Sequence, residues 1–395
     1  MNGLTAPSEP RVAWDDDPAL PHWRGLPALQ GTVTADACVI GLGGSGLAAL
    51  EELAERGLDV VGVDAGRVAA GAAGRNGGIL SAGGAMPRHG EHVVSPGLRL
   101  ELYRATLAEL ARLRDQLGSE VIKDTGSLRI AGLPGPPRDA SEEADTAREL
   151  EVLQAEAEVL RSWGTPVTEY DGELGRGYFN PDTAAMNPVH RAMGLASGLV
   201  RRARLYEHTA VARVRPGVVE TQGGRVEAAV IVVAVDGKLC QLFPQLASFM
   251  RTVRLQMVGT APIEERILWC PTSFRLGYEW GQQDAAGRIL VGGGRDKFMA
   301  DEDTADDNPT APVQSWIDGV VERLAGRVVI ATHRWAASVG YTSDQRAAVM
   351  LVDEGVAVCG GYSGSGNLVG PVAARAAVAL ALDGTTPPAY FRSSL

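Results

Sequence analysis

A glycine-rich turn near the N-terminus has the residue types and spacing that bind phosphate. Gly41, Gly43 and Gly46 form the pattern G-x-G-x-x-G, between an apolar run at 37–40 and a helical pattern at 45–56. The first glycine permits the tight bend, the second lets the backbone approach a pyrophosphate, and the third lets helix pack on strand. Free N–H groups at the helix N-terminus then face the phosphate oxygens. The pattern predicts a dinucleotide-binding turn.

A carboxylate closes the next apolar strand. Asp64 directly follows the run at 59–63. In a strand–helix–strand unit, a carboxylate at this position accepts hydrogen bonds from the ribose hydroxyls of the adenosine. Turn and carboxylate together favour a bound dinucleotide, but they do not choose between NAD and FAD.

Two further glycine-dense loops favour a flavin. The stretch Ala72-Ala-Gly-Arg-Asn-Gly-Gly78 surrounds one arginine and one asparagine with glycine, which suits a loop lying against a flat, hydrogen-bonding ring system. The stretch Gly360-Gly-Tyr-Ser-Gly-Ser-Gly-Asn367 follows an apolar strand and opens a helix. Its N–H groups and the helix dipole can stabilise negative charge on a reduced flavin. It is not a nucleophile elbow, because no G-x-S-x-G register fits Ser363 or Ser365.

Helix and strand patterns surround these motifs. Apolar residues recur at helical or strand-like spacing in most of the chain. We predict helices over 45–56, 98–117, 141–163, 313–324 and 371–382, and strands at 37–40, 59–63, 127–131, 211–214, 226–235 and 355–359. Residues 1–30 form an arm whose tryptophans predict packing on the body, and residues 300–310 are expected to be a solvated acidic loop.

Composition sets outer limits on function. The 395 residues are 45% hydrophobic, which is ample for a buried core in two or three domains. A net charge of -11 argues against a nucleic-acid partner, and no apolar run approaches the roughly 20 residues of a membrane span. The cysteines are far apart, so we expect no disulfide, no metal site and a cytoplasmic location; they are Cys38, Cys240, Cys270 and Cys359.

The three loops together resemble one family. Val39-Ile-Gly-Leu-Gly-Gly-Ser-Gly46, Asp64, Gly71-Ala-Ala-Gly-Arg-Asn-Gly-Gly78 and Gly361-Tyr-Ser-Gly-Ser-Gly366 look like the FAD-dependent D-amino acid oxidase superfamily, which includes glycine oxidase, sarcosine oxidase and gamma-glutamylputrescine oxidase. The resemblance covers most of the chain and is strongest at its two ends. It implies an α/β fold, with a Rossmann-like FAD-binding domain built from separated segments and a mixed β-sheet substrate domain.

The resemblance also implies a division of the chain and a set of cofactor contacts. It predicts an arm at 1–30, an FAD-binding domain from 31–105, 183–245 and 331–395, and a substrate domain from 106–182 and 246–330. The implied FAD contacts lie in the three loops and on two strands between them; they are Gly41, Gly43, Gly44, Ser45, Gly46, Asp64, Ala65, Ala72, Arg75, Asn76, Gly77, Gly78, Val211, Ala234, Gly361, Tyr362, Ser363, Gly364, Ser365, Gly366 and Asn367.

Departures from the family pattern narrow the expected reaction. Glycine oxidase-like members carry an arginine that binds the substrate carboxylate a few residues after the tryptophan that Trp335 resembles, and sarcosine oxidase-like members carry a flavin-attaching cysteine nearby. This chain has Val339 there. The family's usual histidine and oxygen-activating lysine are replaced by Ser365 and Leu290, and its usual asparagine by Asp236. The resemblance therefore implies non-covalent FAD and an amine substrate rather than an amino acid.

The implied reaction is oxidation of the C–N bond of a small amine to an imine, with oxygen reduced to hydrogen peroxide. Four side chains are expected to face the substrate: Tyr278, Trp280, His333 and Tyr341. An amino acid oxidase remains an alternative, since Arg254, Arg275 or Arg295 can supply the missing carboxylate ligand. A flavin-dependent dehydrogenase, an NAD-dependent dehydrogenase and a non-catalytic flavin-binding protein are further alternatives.

Overall fold

The computed structural model describes residues 11–84 and 94–395, and within them the chain alternates strands and helices. The strands are β1 (Gly31–Ile40), β2 (Val60–Val63), β3 (Ile79–Leu80), β4 (Ile122–Lys123), β5 (Ser127–Ile130), β6 (Thr168–Gly172), β7 (Gly175–Asn180), β8 (Ala184–Met186), β9 (Arg204–Tyr206), β10 (Val211–Arg215), β11 (Val218–Thr221), β12 (Gly224–Val233), β13 (Met250–Thr260), β14 (Thr272–Phe274), β15 (Glu279–Gln283), β16 (Ile289–Gly292), β17 (Ala331–Thr342), β18 (Ala348–Asp353) and β19 (Val356–Gly360). The helices are α1 (Gly44–Glu55), α2 (Ala72–Arg75), α3 (Pro96–Leu117), α4 (Ala140–Ser162), α5 (Pro188–Leu199), α6 (Leu239–Leu242), α7 (Met299–Glu302), α8 (Ala311–Ala325) and α9 (Gly366–Asp383).

The first sheet has a parallel centre. Strands β19, β12, β1, β2 and β9 lie side by side in parallel, with β18 antiparallel on β19 and the β10–β11 hairpin on the first half of β12. The central residues 37–40 are buried because both faces are covered: Ala37 and Val39 pack under helices α1 and α9, and Cys38 and Ile40 pack in a second cluster on the other face. The carboxyl ends of β1 and β2 meet at one edge, which is where ligands bind in parallel sheets of this kind.

The second sheet is mixed and carries one broad face toward the cavity described below. Its order is β17-β13-β16-β15-β14-β5-β7-β6, and β5 with β14 is its parallel pair. Helix α8 covers the other face, where Ile317 and Val320 pack with Val258 and Val291. Strand β17 pairs with β13 along its length, so residues 331–342 belong to this sheet although we predicted them in the FAD-binding domain. The two-domain division itself stays a prediction.

A small third sheet connects the other two. Strands β3 and β4 both pair with β8, and this sheet packs on helix α3 through Leu80, Leu110 and Leu113. Residues 11–30 of the N-terminal arm pack on the body as the tryptophans predicted, and residues 1–10 of the predicted arm lie outside the described residues. Trp14 is buried, and the Trp23 indole donates to Glu207 at 2.9 Å.

Two local predictions differ from the structure. The last helix begins at Gly366 and includes Pro371 in its interior, whereas we started it at the proline because proline favours the first helical position. The acidic stretch at 300–310 is only partly a solvated loop, because Glu302 and Asp307 are buried while most of its other residues are exposed. It begins in α7 and lies against the body, because buried arginines need carboxylate partners: Glu302 accepts from Arg254, and Asp307 pairs with Arg75.

Candidate functional site

A cavity of about 1120 Å³ lies where the carboxyl ends of the parallel strands face the second sheet. All three glycine-rich loops line it, although hundreds of residues separate the first from the last. Chain topology brings them together, because β1, β2 and β19 are parallel members of one sheet and end at the same edge. The cavity is long enough to reach from the first sheet across the face of the second.

The first turn has the geometry that a pyrophosphate requires. Gly41 has a φ of +106°, and a Cβ atom on it would lie 2.6 Å from the carbonyl oxygen of Ala234. A Cβ on Gly46 would overlap the carbonyl oxygen of Gly41, so this glycine permits α1 to pack on β1. Gly43 has extended backbone immediately before α1 and lines the cavity. The free N–H groups of the first turn of α1 are thus available to an anion.

Asp64 lies at the end of β2, beside this turn. Its Oδ2 accepts from Leu42 N at 2.7 Å and its Oδ1 from Gly66 N at 2.8 Å. A carboxylate oxygen can accept more than one hydrogen bond, so both oxygens keep capacity for ribose hydroxyls. Desolvation in the cavity wall raises the pKa of Asp64, and the two backbone N–H groups oppose that rise.

The second loop is held by the C-terminal segment and by β17. Asn76 Oδ1 accepts from Gly78 N at 2.8 Å and from Asn367 Nδ2 at 3.0 Å. The Trp335 indole donates to the carbonyl of Arg75 at 2.8 Å, and the Arg75 guanidinium donates to Ala336 O at 3.0 Å. These bonds fix the loop, so its backbone can face a ring system with little cost in conformational entropy.

The third loop is organised by a carboxylate that motif analysis treated only as a departure from the family. Asp236 Oδ1 accepts from Gly361 N at 2.8 Å and Tyr362 N at 3.3 Å, and its Oδ2 accepts from Gly340 N at 3.1 Å. Asp236 therefore joins the end of β12 to β17 and to the loop before α9. Desolvation raises the pKa of Asp236 to about 6, against the effect of these backbone donors.

A buried arginine that sequence reasoning missed lies beside the first turn. Arg191, on α5, is 2% exposed and donates to the carbonyl of Asn367 at 2.9 Å. Its guanidinium nitrogens lie 3.2 Å from where a Cβ on Gly44 would be, and its Nε is buried without a partner among the described residues. Burial lowers the pKa of Arg191 to about 10. A cation in this position fits a pyrophosphate at the N-terminus of α1, and no local sequence pattern indicated it.

The structure brings the predicted cofactor residues together with three exceptions. Those on the cavity wall are Gly41, Gly43, Gly44, Ser45, Asp64, Ala65, Ala72, Arg75, Asn76, Gly77, Val211, Ala234, Tyr362, Ser363, Gly364, Ser365, Gly366 and Asn367. Gly46, Gly78 and Gly361 lie behind the wall. Gly78 and Gly361 have positive φ, and a Cβ on Gly361 would lie 2.6 Å from the Thr342 side chain, so these positions shape the loops.

Three of the four predicted substrate-facing residues lie on the cavity wall: Tyr278, Trp280 and Tyr341. The indole of Trp280 lies over Gly77, since a Cβ there would be 2.5 Å from Trp280 Cδ1. His333 is separated from them. It lies near the opposite end of β17 and pairs with Asp16 of the N-terminal arm at 3.2 Å, so we do not propose it as a substrate contact.

The arginines that can bind a carboxylate differ in their surroundings. Arg254 binds Glu302 through two nitrogens and Arg275 binds Glu279 likewise, and neither lines the cavity. Arg295 does line it. One of its Nη atoms donates to Asp303 at 2.8 Å, its guanidinium stacks on Tyr341 at 4.9 Å, and its Nε has no partner among the described residues.

Two strand residues that depart from the family pattern, Val339 and Leu290, lie in different surroundings. Val339 lies on the cavity wall. Leu290 is fully buried in the core with Met257 and Trp335, and its correspondence to the lysine of sarcosine oxidases stays a prediction.

Other kinds of site are not evident in the described residues. Residues 11–84 and 94–395 contain no group of three His, Cys, Asp or Glu side chains arranged to hold a metal ion. Their four cysteines are free thiols, and none lines the cavity. No helix in this part of the chain combines the length and the apolar character needed to cross a membrane.

Comparisons with known proteins agree with this geometry. Two relatives align over much of the chain. A probable oxidoreductase OrdL of Rhizobium meliloti is 27% identical, and the alignment covers 96% of this chain and 90% of the relative. The gamma-glutamylputrescine oxidoreductase of Escherichia coli is 26% identical, and the alignment covers 67% of this chain and 66% of the relative. Among solved structures, glycine oxidase from Geobacillus kaustophilus has a TM-score of 0.70 at 20% identity, covering 89% of this chain and 96% of that one.

The L-proline dehydrogenase of P. horikoshii has a TM-score of 0.66 at 17% sequence identity, and the match covers 92% of this chain and 96% of the dehydrogenase chain. These structural likenesses establish the predicted α/β fold. The family model described as FAD dependent oxidoreductase matches residues 36–380, nearly the whole described chain. The chain therefore belongs to the family of FAD-dependent oxidoreductases and is an enzyme of that class.

Proposed function

We propose that this enzyme oxidises the C–N bond of a small amine to an imine and passes the electrons to oxygen, giving hydrogen peroxide. The observation that carries the amine proposal is Val339 on the cavity wall, beside the loop that opens α9. A buried carboxylate without a cationic partner costs several kcal/mol. An α-amino acid placed against Val339 would lose its charged partner there, whereas an amine has no carboxylate to satisfy.

The protein's own contribution is binding and orientation. Bound FAD would supply the hydride acceptor for the α carbon of the amine, and the imine product would be hydrolysed in water to a carbonyl compound and ammonia or an amine. Tyr278, Trp280 and Tyr341 supply aromatic walls that orient the substrate chain and exclude water. If the amine binds in its neutral form, no protein base is required for the oxidation.

FAD is proposed to be held without a covalent bond, in a protein located in the cytoplasm. The cavity wall contains neither cysteine nor histidine among the described residues, which supports a non-covalent site. The four free thiols agree with a reducing compartment.

Arg295 favours a second candidate function, the oxidation of an amino acid. It is a buried cation on the cavity wall, with one carboxylate partner and an Nε without one among the described residues. Asp303 is shared with Arg251, so this carboxylate does not fully compensate Arg295. A substrate carboxylate beside the Arg295 guanidinium would satisfy the remaining hydrogen-bonding capacity.

Anaerobic reduction of the flavin separates the two candidates. Simple amines, N-substituted amines, glycine, sarcosine and D-amino acids are compared by bleaching of the flavin absorbance, and peroxide is then measured in air. The proposed function predicts bleaching by amines that lack a carboxylate. Fast bleaching by amino acids alone, abolished in Arg295→Met, would establish the second candidate, and bleaching without peroxide would point to another electron acceptor.

A further inference from the structure

The cavity continues well past the residues expected to surround the flavin. Beyond Trp280 its wall is formed by polar side chains of the outer strands of the second sheet, Ser127, Arg129, Tyr178 and Asn180. We refer to this part as the remote end. An oxidised C–N bond requires no such extension, so the remote end offers space for a further part of the substrate.

The strand registers fix how far the remote end lies from the flavin loops. Trp280 on β15 pairs with Ser273 on β14, Ser273 with Arg129 on β5, and Arg129 with Tyr178 on β7. Directly paired residues point to the same face of a sheet. Neighbouring strands are about 4.8 Å apart, so Arg129 lies roughly 10 Å from Trp280 across the sheet.

The Trp280 end of this row is the flavin end. Its indole lies over Gly77, and the neighbouring Gln282 donates to the carbonyl of Gly77 at 2.6 Å. Gly77 belongs to the loop predicted to contact the flavin ring. A substrate whose amine reacts near Trp280 and whose chain runs along the row therefore reaches Arg129 with its other end.

Arg129 has hydrogen-bonding capacity that the protein leaves unused. Its nearest carboxylate is Glu156, at 3.3 Å from Nη2, and Glu156 also accepts from the Tyr178 hydroxyl at 3.2 Å. Its Nε is buried without a partner, and its Nη1 has none among residues 11–84 and 94–395. The side chain is 22% exposed, on the cavity wall. A cation with open donors at the end of a polar channel suits an anion with planar oxygen geometry.

We propose that the substrate is an amine with a carboxylate at its far end, and that Arg129 binds this carboxylate. The inference rests on the proposed amine oxidation and adds a substrate class, the ω-amino carboxylates and compounds that end in the same way. It also accounts for Val339: the carboxylate is bound about two strands away instead of next to the reacting carbon.

The first test needs no substitution. The holoenzyme is mixed anaerobically with ω-aminobutanoate, ω-aminohexanoate and ω-aminooctanoate, and with the ω-amino amide of each length, and the apparent Kd for flavin reduction is measured. A carboxylate that reaches Arg129 binds more tightly than its amide. We expect a difference of about tenfold to a hundredfold, as for one charge-assisted hydrogen-bonded pair, at the longer lengths and none at the shortest.

The second test uses substitutions at two neighbouring strands. Arg129→Met should abolish the preference for carboxylate over amide while amides still reduce the flavin, and Arg129→Lys should retain part of it. Arg176→Met is the matched control, because Arg176 lies on β7, is mostly exposed and, among the described residues, forms its one ion pair with Asp171. FAD content and melting temperature are checked for each variant.

The outcomes separate this inference from the function on which it rests. Bleaching by amines with no preference for carboxylate at any length overturns the role of Arg129 and leaves amine oxidation intact. A preference that survives in Arg129→Met overturns it as well. Bleaching by none of these compounds rejects the proposed amine oxidation, and the substrate class falls with it.

Discussion

Three charged residues in the cavity wall have different roles in the candidate dinucleotide site. Asp64 holds the first turn through two backbone N–H groups and keeps acceptor capacity for ribose. Arg191 brings a positive charge to the N-terminus of α1. Asp236 organises the third loop in the same way that Asp64 organises the first. Each is a charge whose position decides the conformation of a glycine-rich segment.

Asp64→Ala should weaken FAD binding. The substitution removes an ionic hydrogen bond to ribose and the acceptor for Leu42 N and Gly66 N, and loss of one such bond costs roughly 1.5–3 kcal/mol. Asp59→Ala, at the opposite end of β2, is the control, because its exposed pair with Arg204 contributes little. FAD retained after dialysis of dilute protein is the measurement. Equal retention in Asp64→Ala and wild type would exclude the ribose contact.

Asp236→Asn should change how stability depends on pH. The folded pKa of about 6 lies above the unfolded value of 3.8, so the folded state keeps a proton that the unfolded state has lost. The contribution of Asp236 to the free energy of unfolding is fully present below pH 3.8 and is lost as the pH rises through about 6. Denaturant unfolding at several pH values should therefore show the wild type losing stability relative to Asp236→Asn across this window. Parallel curves would contradict the raised pKa.

At the scale of elements, the N-terminus of α1 and the three loops are held by neighbours distant in sequence. The C-terminal segment reaches the second loop through Asn367, and β17 reaches it through Trp335. The acidic stretch around α7 lies against the cavity because Glu302 and Asp307 pair with buried arginines. Cofactor loops with little regular structure of their own are thereby kept in one conformation.

Gly43→Val and Gly46→Ala should fail in different ways. A side chain at Gly43 faces the cavity, where a Cβ meets only Ala73 at 3.2 Å, so the variant should fold but retain little FAD. A Cβ at Gly46 overlaps the carbonyl of Gly41 and forces α1 away from β1, and such overpacking typically costs about 1–3 kcal/mol. Melting of the apo-proteins should separate the two. Normal FAD content in Gly43→Val would show that the phosphate lies elsewhere.

In the molecule as a whole, residues of both large sheets form the cavity wall. The first sheet contributes the parallel strand ends and the glycine turns, and the second contributes a broad face with Trp280, Tyr278 and Arg129. The N-terminal arm adds a support from outside, since the Trp14 indole donates to the carbonyl of Asn76 at 2.9 Å.

Purified protein should be yellow, and acid or heat should release its flavin as free FAD. The family resemblance predicts Val339 at the position of the attaching cysteine, and the described cavity wall offers no cysteine or histidine. The measurement is flavin absorbance and chromatography of the supernatant after precipitation. Flavin that remains with the protein pellet would reveal a covalent bond and reject the proposed mode of binding.

The candidate dinucleotide turn could be predicted from the sequence alone, because its chemistry depends on local backbone conformation. Gly41, Gly43 and Gly46 permit conformations that other residues cannot adopt, and Asp64 follows its strand directly, so the pattern is readable over a short stretch. The strong resemblance of the two ends to known flavoenzymes added the third loop. Helices such as α3 and α8 were predictable because their apolar spacing is long and regular.

Which charged side chains reach the cavity depends on the three-dimensional fold. Arg191 and Arg129 resemble any other arginine in the sequence, and Arg295 was one of three candidates of which it alone lines the cavity among the described residues. His333 was predicted to face the substrate, but strand β17 places it beside the N-terminal arm. Whether a side chain faces the cavity or the core depends on strand register, and a shift of one residue reverses the face. Register is fixed by pairing between distant segments, such as β5 with β14, and that pairing has no local signal in the sequence.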